Sequence, residues 1–252
     1  MKKQNKRGFT IVELIIVIAV IAILAAVLIP TFTRVIHRAN ESRDSQLVRN
    51  LNTALATDKV LNGEHKTMYA ALGAAKVAGY DVGRINASAT DNEILWDSVN
   101  DCFVYVKNVN ATQPEFEYIP NSKTVDNVPV YKFWKIFKAS EVAAVENSPY
   151  SLYLAEGELD SFEAHAGFDL ADDASVASLT YVNDADQDVV IRTNSQFTDL
   201  TVEAPNDVVT HYGVGKTLVI TAVASSSFHE KGSWQAITLT SGNLVIETGS
   251  FV

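Results

Sequence analysis

A chain of 252 residues with 30 acidic against 20 basic side chains has a net charge of −10, which argues against binding a phosphate backbone, a task for lysine and arginine. Its single cysteine, Cys102, permits no disulfide within the chain, so an exported fold must rest on its core. The charge is uneven: residues 1–150 carry 17 basic and 15 acidic side chains, residues 151–252 only 3 basic against 15 acidic.

The chain opens with a basic head, Lys2, Lys3, Lys6 and Arg7, followed by Gly8 and Phe9. An apolar run then extends to Pro30, with sixteen consecutive apolar residues from Leu14 to Ile29. About 21 helical residues at 1.5 Å each span roughly 30 Å, one bilayer core. Glu13 is the exception within the run. A carboxylate costs about 2.5–3.5 kcal/mol near the bilayer centre and less near an edge, so it calls for a partner. No Lys, Arg or His lies between Phe9 and Ile29. Cleavage between Gly8 and Phe9 would create an amino group one helical turn from Glu13, in the same chain or in a neighbour shifted by a turn.

The string Gly8-Phe9-Thr10-x-x-Glu13, behind a basic leader and ahead of Pro30, resembles the N-terminus of a type IV pilin or a type II secretion pseudopilin. The resemblance covers Met1 to Gly63 and little beyond. It implies a membrane peptidase that cuts after Gly8 and N-methylates Phe9. It also implies Glu13 as the fifth mature residue, in an assembly salt bridge with the new amine, and Pro30 as a helix kink. The implied partners are other pilin subunits through the N-terminal helix, the prepilin peptidase and the membrane. The implied location is the cytoplasmic membrane, single-pass with the C-terminal part outside, and then an extracellular filament. An ordinary secretory signal has an apolar core of 7–15 residues and a small-residue cut site after it. A plain anchor explains the length but not Gly8, Phe9 and Glu13 together.

Beyond Pro30 the apolar residues take a helical period: Phe32, Val35, Ile36 and Ala39, then Leu47, Val48, Leu51, Ala54 and Leu55, closed by Val60 and Leu61 before Asn62-Gly63. The spacing predicts one long helix from Phe9 to about Leu61, bent at Pro30. Thr67 to Ala78 reads as a short helix. Glu93–Ser98 leads into a strand at Cys102–Val106, in which Cys102 acts as a small buried hydrophobe and Trp96 as a core residue. Phe116–Ile119 is short, and Val128–Phe137 suits a strand or a short helix.

Residues 151–252 carry recurrent β-type runs: Ser151–Ala155, Ser178–Val182, Val189–Thr193, Leu200–Ala204, Val208–Tyr212, Thr217–Ala224, Ala236–Thr240 and Asn243–Thr248. A parallel β-solenoid is favoured for them and an antiparallel sandwich is the alternative. The fold class is therefore α+β. The expected division is a leader (1–8), a pilin-type helix (9–62, transmembrane 9–29), a pilin-like α/β region (63–148) and a β-rich C-terminal domain (149–252).

No catalytic motif is present, no cofactor is expected, and the five histidines are scattered. The alternating carboxylates Asp184, Asp186 and Asp188 have the look of a calcium loop. Val189 and Ser195 stand where an EF-hand needs Gly and Glu, so no metal is expected. The expected function is a structural filament subunit, not an enzyme. The length and the added β-rich region point to a minor or tip subunit. The alternative is a membrane-tethered module that binds a glycan or an extracellular partner through the C-terminal region.

Overall fold

The computed structural model describes residues 10–120, 127–225, 227–241 and 243–247. Helix α1, Ile11–Asn62, is 52 residues long. Its first half is rich in Ile and Val, middling helix formers in water, but in hydrocarbon a helix satisfies every backbone group within one segment. Side chains from Ile11 to Ile36 project from the body, and all but the half-buried Ala25 are exposed. Burial begins at Asp44, Val48, Leu51 and Leu55, which share one face. Val60 and Leu61, expected to close that face, are 84% and 80% exposed, because the last turn meets the body through Asp58 and Lys59, bonded to His65 and Asp101, and turns these two outward before Gly63 caps it with φ +85°.

The body packs on α1. Helix α2 (Met68–Val77) and a short antiparallel sheet, β1 (Glu93–Asp97), β2 (Cys102–Lys107) and β3 (Glu115–Tyr118), enclose a core in which Leu51, Leu55, Met68, Leu72, Trp96 and Phe103 meet. Trp96 is fully buried, as expected. Glu93–Asp97 is itself a strand rather than a lead-in. The ambiguous stretch after Val128 splits into a single 3-10 turn at Val130–Lys132 and strand β4 at Phe133–Lys138.

Strand β4 joins two pairing regimes. It runs antiparallel to β1 on one side and parallel to β5 (Ser151–Ala164) on the other. Every later pairing is parallel, through β6 (Phe168–Leu170), β7 (Ala174–Val182), β8 (Asp188–Asn194), β9 (Asp199–Ala204), β10 (Val208–Val223), β11 (Phe228–Glu230), β12 (Ser233–Leu239) and β13 (Leu244–Ile246). Leu152, Phe168, Ile191, His211, Glu230 and Ile246 are successive register partners, 16 to 23 residues apart. That is a solenoid-like coil. A sandwich would need antiparallel strands, and parallel neighbours demand a long return each time. The return legs supply a second ladder, in which Leu179, Leu200, Leu218 and Ile237 are stacked partners. The two ladders face each other across one apolar interior that contains Leu154, Leu170, Ile191, Val202 and Ile220.

Two expectations about the coil change. Val208–Tyr212 and Thr217–Ala224 form one 16-residue strand rather than two. Gly213 (φ +100°) turns the corner without interrupting the ladder to β8, a bend only glycine makes cheaply. Phe168–Leu170 and Phe228–Glu230, three residues each, escape a pattern reading, because alternation needs four or more residues to register. Thr248 lies outside the described residues.

Candidate assembly and processing segment

Gly8 and Phe9, the expected cut site and methylation site, lie outside the described residues. Thr10 is the N-cap of α1. Glu13 is not left alone among aliphatics: Thr10 N–H and Thr10 Oγ1 both donate to its Oε2, at 2.8 and 2.7 Å, and Glu13 N–H donates back to Thr10 Oγ1 at 3.2 Å. This is a reciprocal capping box, which satisfies two orphan donors of the first turn and screens the carboxylate with them. Past it, the window of highest hydropathy averages 3.3 and none of it is buried inside the molecule, so α1 is long and apolar enough to cross a membrane. The helix runs on through Pro30. Thr31 and Thr33 fold their hydroxyls back onto Val27 O and Ile29 O, 2.9 Å each. These hydroxyls therefore ask nothing of the surroundings, and exposed Phe32, Val35 and Ile36 extend the greasy surface beyond Ile29.

Among the polar residues of α1 that tie it to the body are three that sequence reasoning did not single out, His37, Asp44 and Asn52. His37 Nε2 lies 3.0 Å from Asp91 Oδ1 and its Nδ1 3.7 Å from Glu41; the Asp91 hydrogen bond, with the two carboxylate charges, raises the imidazole's pKa. Asp44 is 1% exposed and accepts from Ser88 N–H at 2.8 Å and from Ala89 N–H at 3.3 Å. Asn52 clamps the sheet: its Nδ2 donates to Phe103 O (2.8 Å) and Ile119 O (2.6 Å), and its Oδ1 accepts from Phe103 N–H (2.6 Å). Asn52 thus replaces the strand partner that β3 is too short to supply. One signal was legible: Asp44 falls in step with Val48, Leu51 and Leu55, and a carboxylate on an apolar face implies buried donors.

The prokaryotic N-terminal methylation motif matches residues 3–29. The N-terminus is a prepilin-type motif. Curated relatives agree in kind. The type IV wide pilus major component PilA4 of Thermus thermophilus is 59% identical over 39 residues, 16% of this chain and 30% of that protein. The type IV major fimbrial protein FimA of Dichelobacter nodosus is 33% identical over 91 residues, 36% of this chain and 56% of its own. The type IV major pilin PilA of Myxococcus xanthus is 35% identical over 91 residues, covering 36% and 41%. The chain thus spans between about a third and just over half the length of these relatives. No solved structure matches it.

The prepilin motif opens a chain whose second half has chemistry of its own. In the solenoid interior, His211 Nδ1 lies 2.9 Å from Glu230 Oε1 and its Nε2 2.9 Å from Thr193 Oγ1, all three side chains being fully buried. Hydroxyl, imidazole and carboxylate stand in the order used for nucleophilic catalysis. Here the Thr193 hydroxyl is committed to Val214 O at 2.7 Å, Glu230 accepts from Trp234 Nε1 at 2.7 Å, and the coil wall closes over the group. It is a structural network inside an apolar column. The Asp184–Asp188 stretch is held by its neighbours: Asn206 Nδ2 donates to Asp184 O, and Lys132 Nζ lies 3.3 Å from Asp188 Oδ2. Among the described residues, no group of three or more His, Cys, Asp or Glu is placed to hold a metal. Cys102, expected to be buried, sits half-buried at the start of β2, and desolvation still pushes its thiol up to about 12, which keeps it protonated at neutral pH.

Proposed function

We propose that this protein is a structural subunit of a type IV pilus or type II secretion-type filament. The observation that carries it is the methylation motif at residues 3–29, joined to a 52-residue helix whose apolar half the body leaves uncovered. A prepilin peptidase removes residues 1–8 and Phe9 is methylated. The helix from Phe9 to Ile29 resides in the cytoplasmic membrane with the C-terminal part outside, then enters a filament core beside the helices of other subunits, with Pro30 as its bend point. The Phe9 amine and Glu13 pair during assembly, and Thr10 holds the carboxylate beforehand. Residues 63–148 form the pilin-like body and 149–252 the added β-rich domain. That domain, with 15 acidic side chains and 3 basic ones from residue 151 on, favours a minor or tip position, exposed to whatever the filament meets. The same domain supports a second reading, a membrane-tethered module that binds a glycan or surface partner.

The test is a shear assay in cells carrying the whole machine, with mass spectrometry of the product. The mature chain starts at Phe9 and leaves with sheared filaments. Glu13→Ala is still cut and still membrane-bound, because losing a charge eases insertion, but it is depleted from filaments, since an unpaired buried charge costs about 3–5 kcal/mol. Wild-type protein that never shears off supports the tethered module instead.

A further inference from the structure

The end of the body nearest the apolar half of α1 is built unlike the rest of the surface. Moving toward the N-terminus along α1, Asn52 meets Phe103, Asp44 meets Ser88, and His37 meets Asp91. Val109 N–H donates to Asp91 O at 3.0 Å, so the loops at 86–92 and 108–114 lie side by side at the level of His37. Their sequences, Asn-Ala-Ser-Ala-Thr-Asp-Asn and Asn-Val-Asn-Ala-Thr-Gln-Pro, hold one charge in fourteen residues. That charge, Asp91, faces His37. The helix at this level carries Arg34, Arg38 and Arg43 against Glu41, and Arg43 Nη1 donates to Ser88 Oγ at 2.7 Å. A molecule of net charge −10 thus presents a small, nearly neutral, cation-flanked underside.

At 1.5 Å per residue, Arg34 lies about 8 Å and His37 about 12 Å beyond Ile29. The headgroup layer of one leaflet is roughly 5–8 Å deep, so Arg34 falls at its outer edge with its side chain able to reach lipid phosphates, and the two loops at the level of His37 lie about 4 Å beyond it. We propose that this underside is a docking surface for phospholipid headgroups, on which the body sits flush against the leaflet from which it projects, with Arg34 and Arg38 binding anionic phosphates. The occupant follows from continuity with the membrane-crossing segment and from the sign of the charge. The inference rests on the anchored-helix reading above.

The test uses the full chain with Cys102→Ser and a single fluorescent label at Ala111→Cys in the underside, or at Thr238→Cys on the far coil. The protein is placed in vesicles of phosphatidylcholine, alone or with one quarter phosphatidylglycerol, that carry a headgroup quencher. The label at 111 is quenched severalfold more than the label at 238, and phosphatidylglycerol deepens the difference. Each arginine near an anionic surface biases docking about fivefold, so Arg34→Gln with Arg38→Gln removes that dependence. Equal quenching at the two sites, or quenching that ignores phosphatidylglycerol in the wild type, overturns the proposal. Quenching that follows the protein-to-lipid ratio rather than the lipid headgroup identifies a second copy as the occupant and equally overturns it. Protein that fails to float with the vesicles refutes the anchor itself, an outcome distinct from protein that floats unquenched.

Discussion

Asn52→Leu is the substitution that separates a helix merely lying on a sheet from one hydrogen-bonded into it. Asn52 serves Phe103 N–H, Phe103 C=O and Ile119 C=O, and Phe103 and Ile119 are 0% and 6% exposed. Leucine keeps the volume and removes all three bonds. A buried donor or acceptor left without a partner costs about 1–3 kcal/mol, so three such groups, partly relaxed, cost about 3–5 kcal/mol. For a chain of this size that lowers Tm by on the order of 10 °C. The assay is thermal melting of the full chain in detergent, followed by near-ultraviolet circular dichroism. Trp96 gives the local signal, because it is fully buried and is the register partner of Phe103. Asn52→Asp keeps the acceptor for Phe103 N–H but turns a carboxylate oxygen toward two carbonyls, so it melts no higher than Asn52→Leu. Gln46→Ala, on the exposed flank of α1 with Asn50 as its partner, moves stability by less than about 0.5 kcal/mol. Asn52→Leu melting with the wild type, or Asn52→Asp doing so, would refute the clamp.

Two further outcomes concern the coil. Burial pushes the Asp169 carboxyl up to about 6, although Arg192 and the amides of Tyr69 and Leu170 oppose the shift. The folded state therefore takes up this proton before the unfolded state, whose aspartate titrates near 3.9. The contribution to stability is fully present below about pH 4 and is lost as pH rises through 6, about 3 kcal/mol at most. Asp169→Asn should flatten that part of the pH–stability curve, and an unchanged slope would show that Asp169 does not titrate there. Gly213→Ala puts a Cβ onto the Thr193 carbonyl at φ +100° and should cost about 3 kcal/mol or more, read as loss of the β-type melting transition. A melt equal to the wild type would mean that the corner of β10 is not where the strain resides.

The sequence alone determined what depends on neighbours along the chain. The basic head, Gly8, Glu13 and the run to Ile29 specify a prepilin-type motif and a helix apolar enough to cross a membrane, because length, hydropathy and charge are local quantities. Val48, Leu51 and Leu55 announce their shared face by spacing. The β character of residues 151–252 shows in composition, and a parallel coil could be favoured over a sandwich, but only the pairing decided between them. The parallel register of β4 with β5, and of β8 with β10, is set by hydrogen bonds between residues 17 to 20 apart, which leave no periodic trace in either strand. The same holds for the polar residues that matter most. Asn52 finds Phe103, Asp44 finds Ser88, and His211 finds Glu230 across 19 to 51 residues, and no sequence pattern names any of these partners. Only the tertiary structure supplies the partner, because burial removes the water that would otherwise satisfy these groups and makes one protein neighbour obligatory.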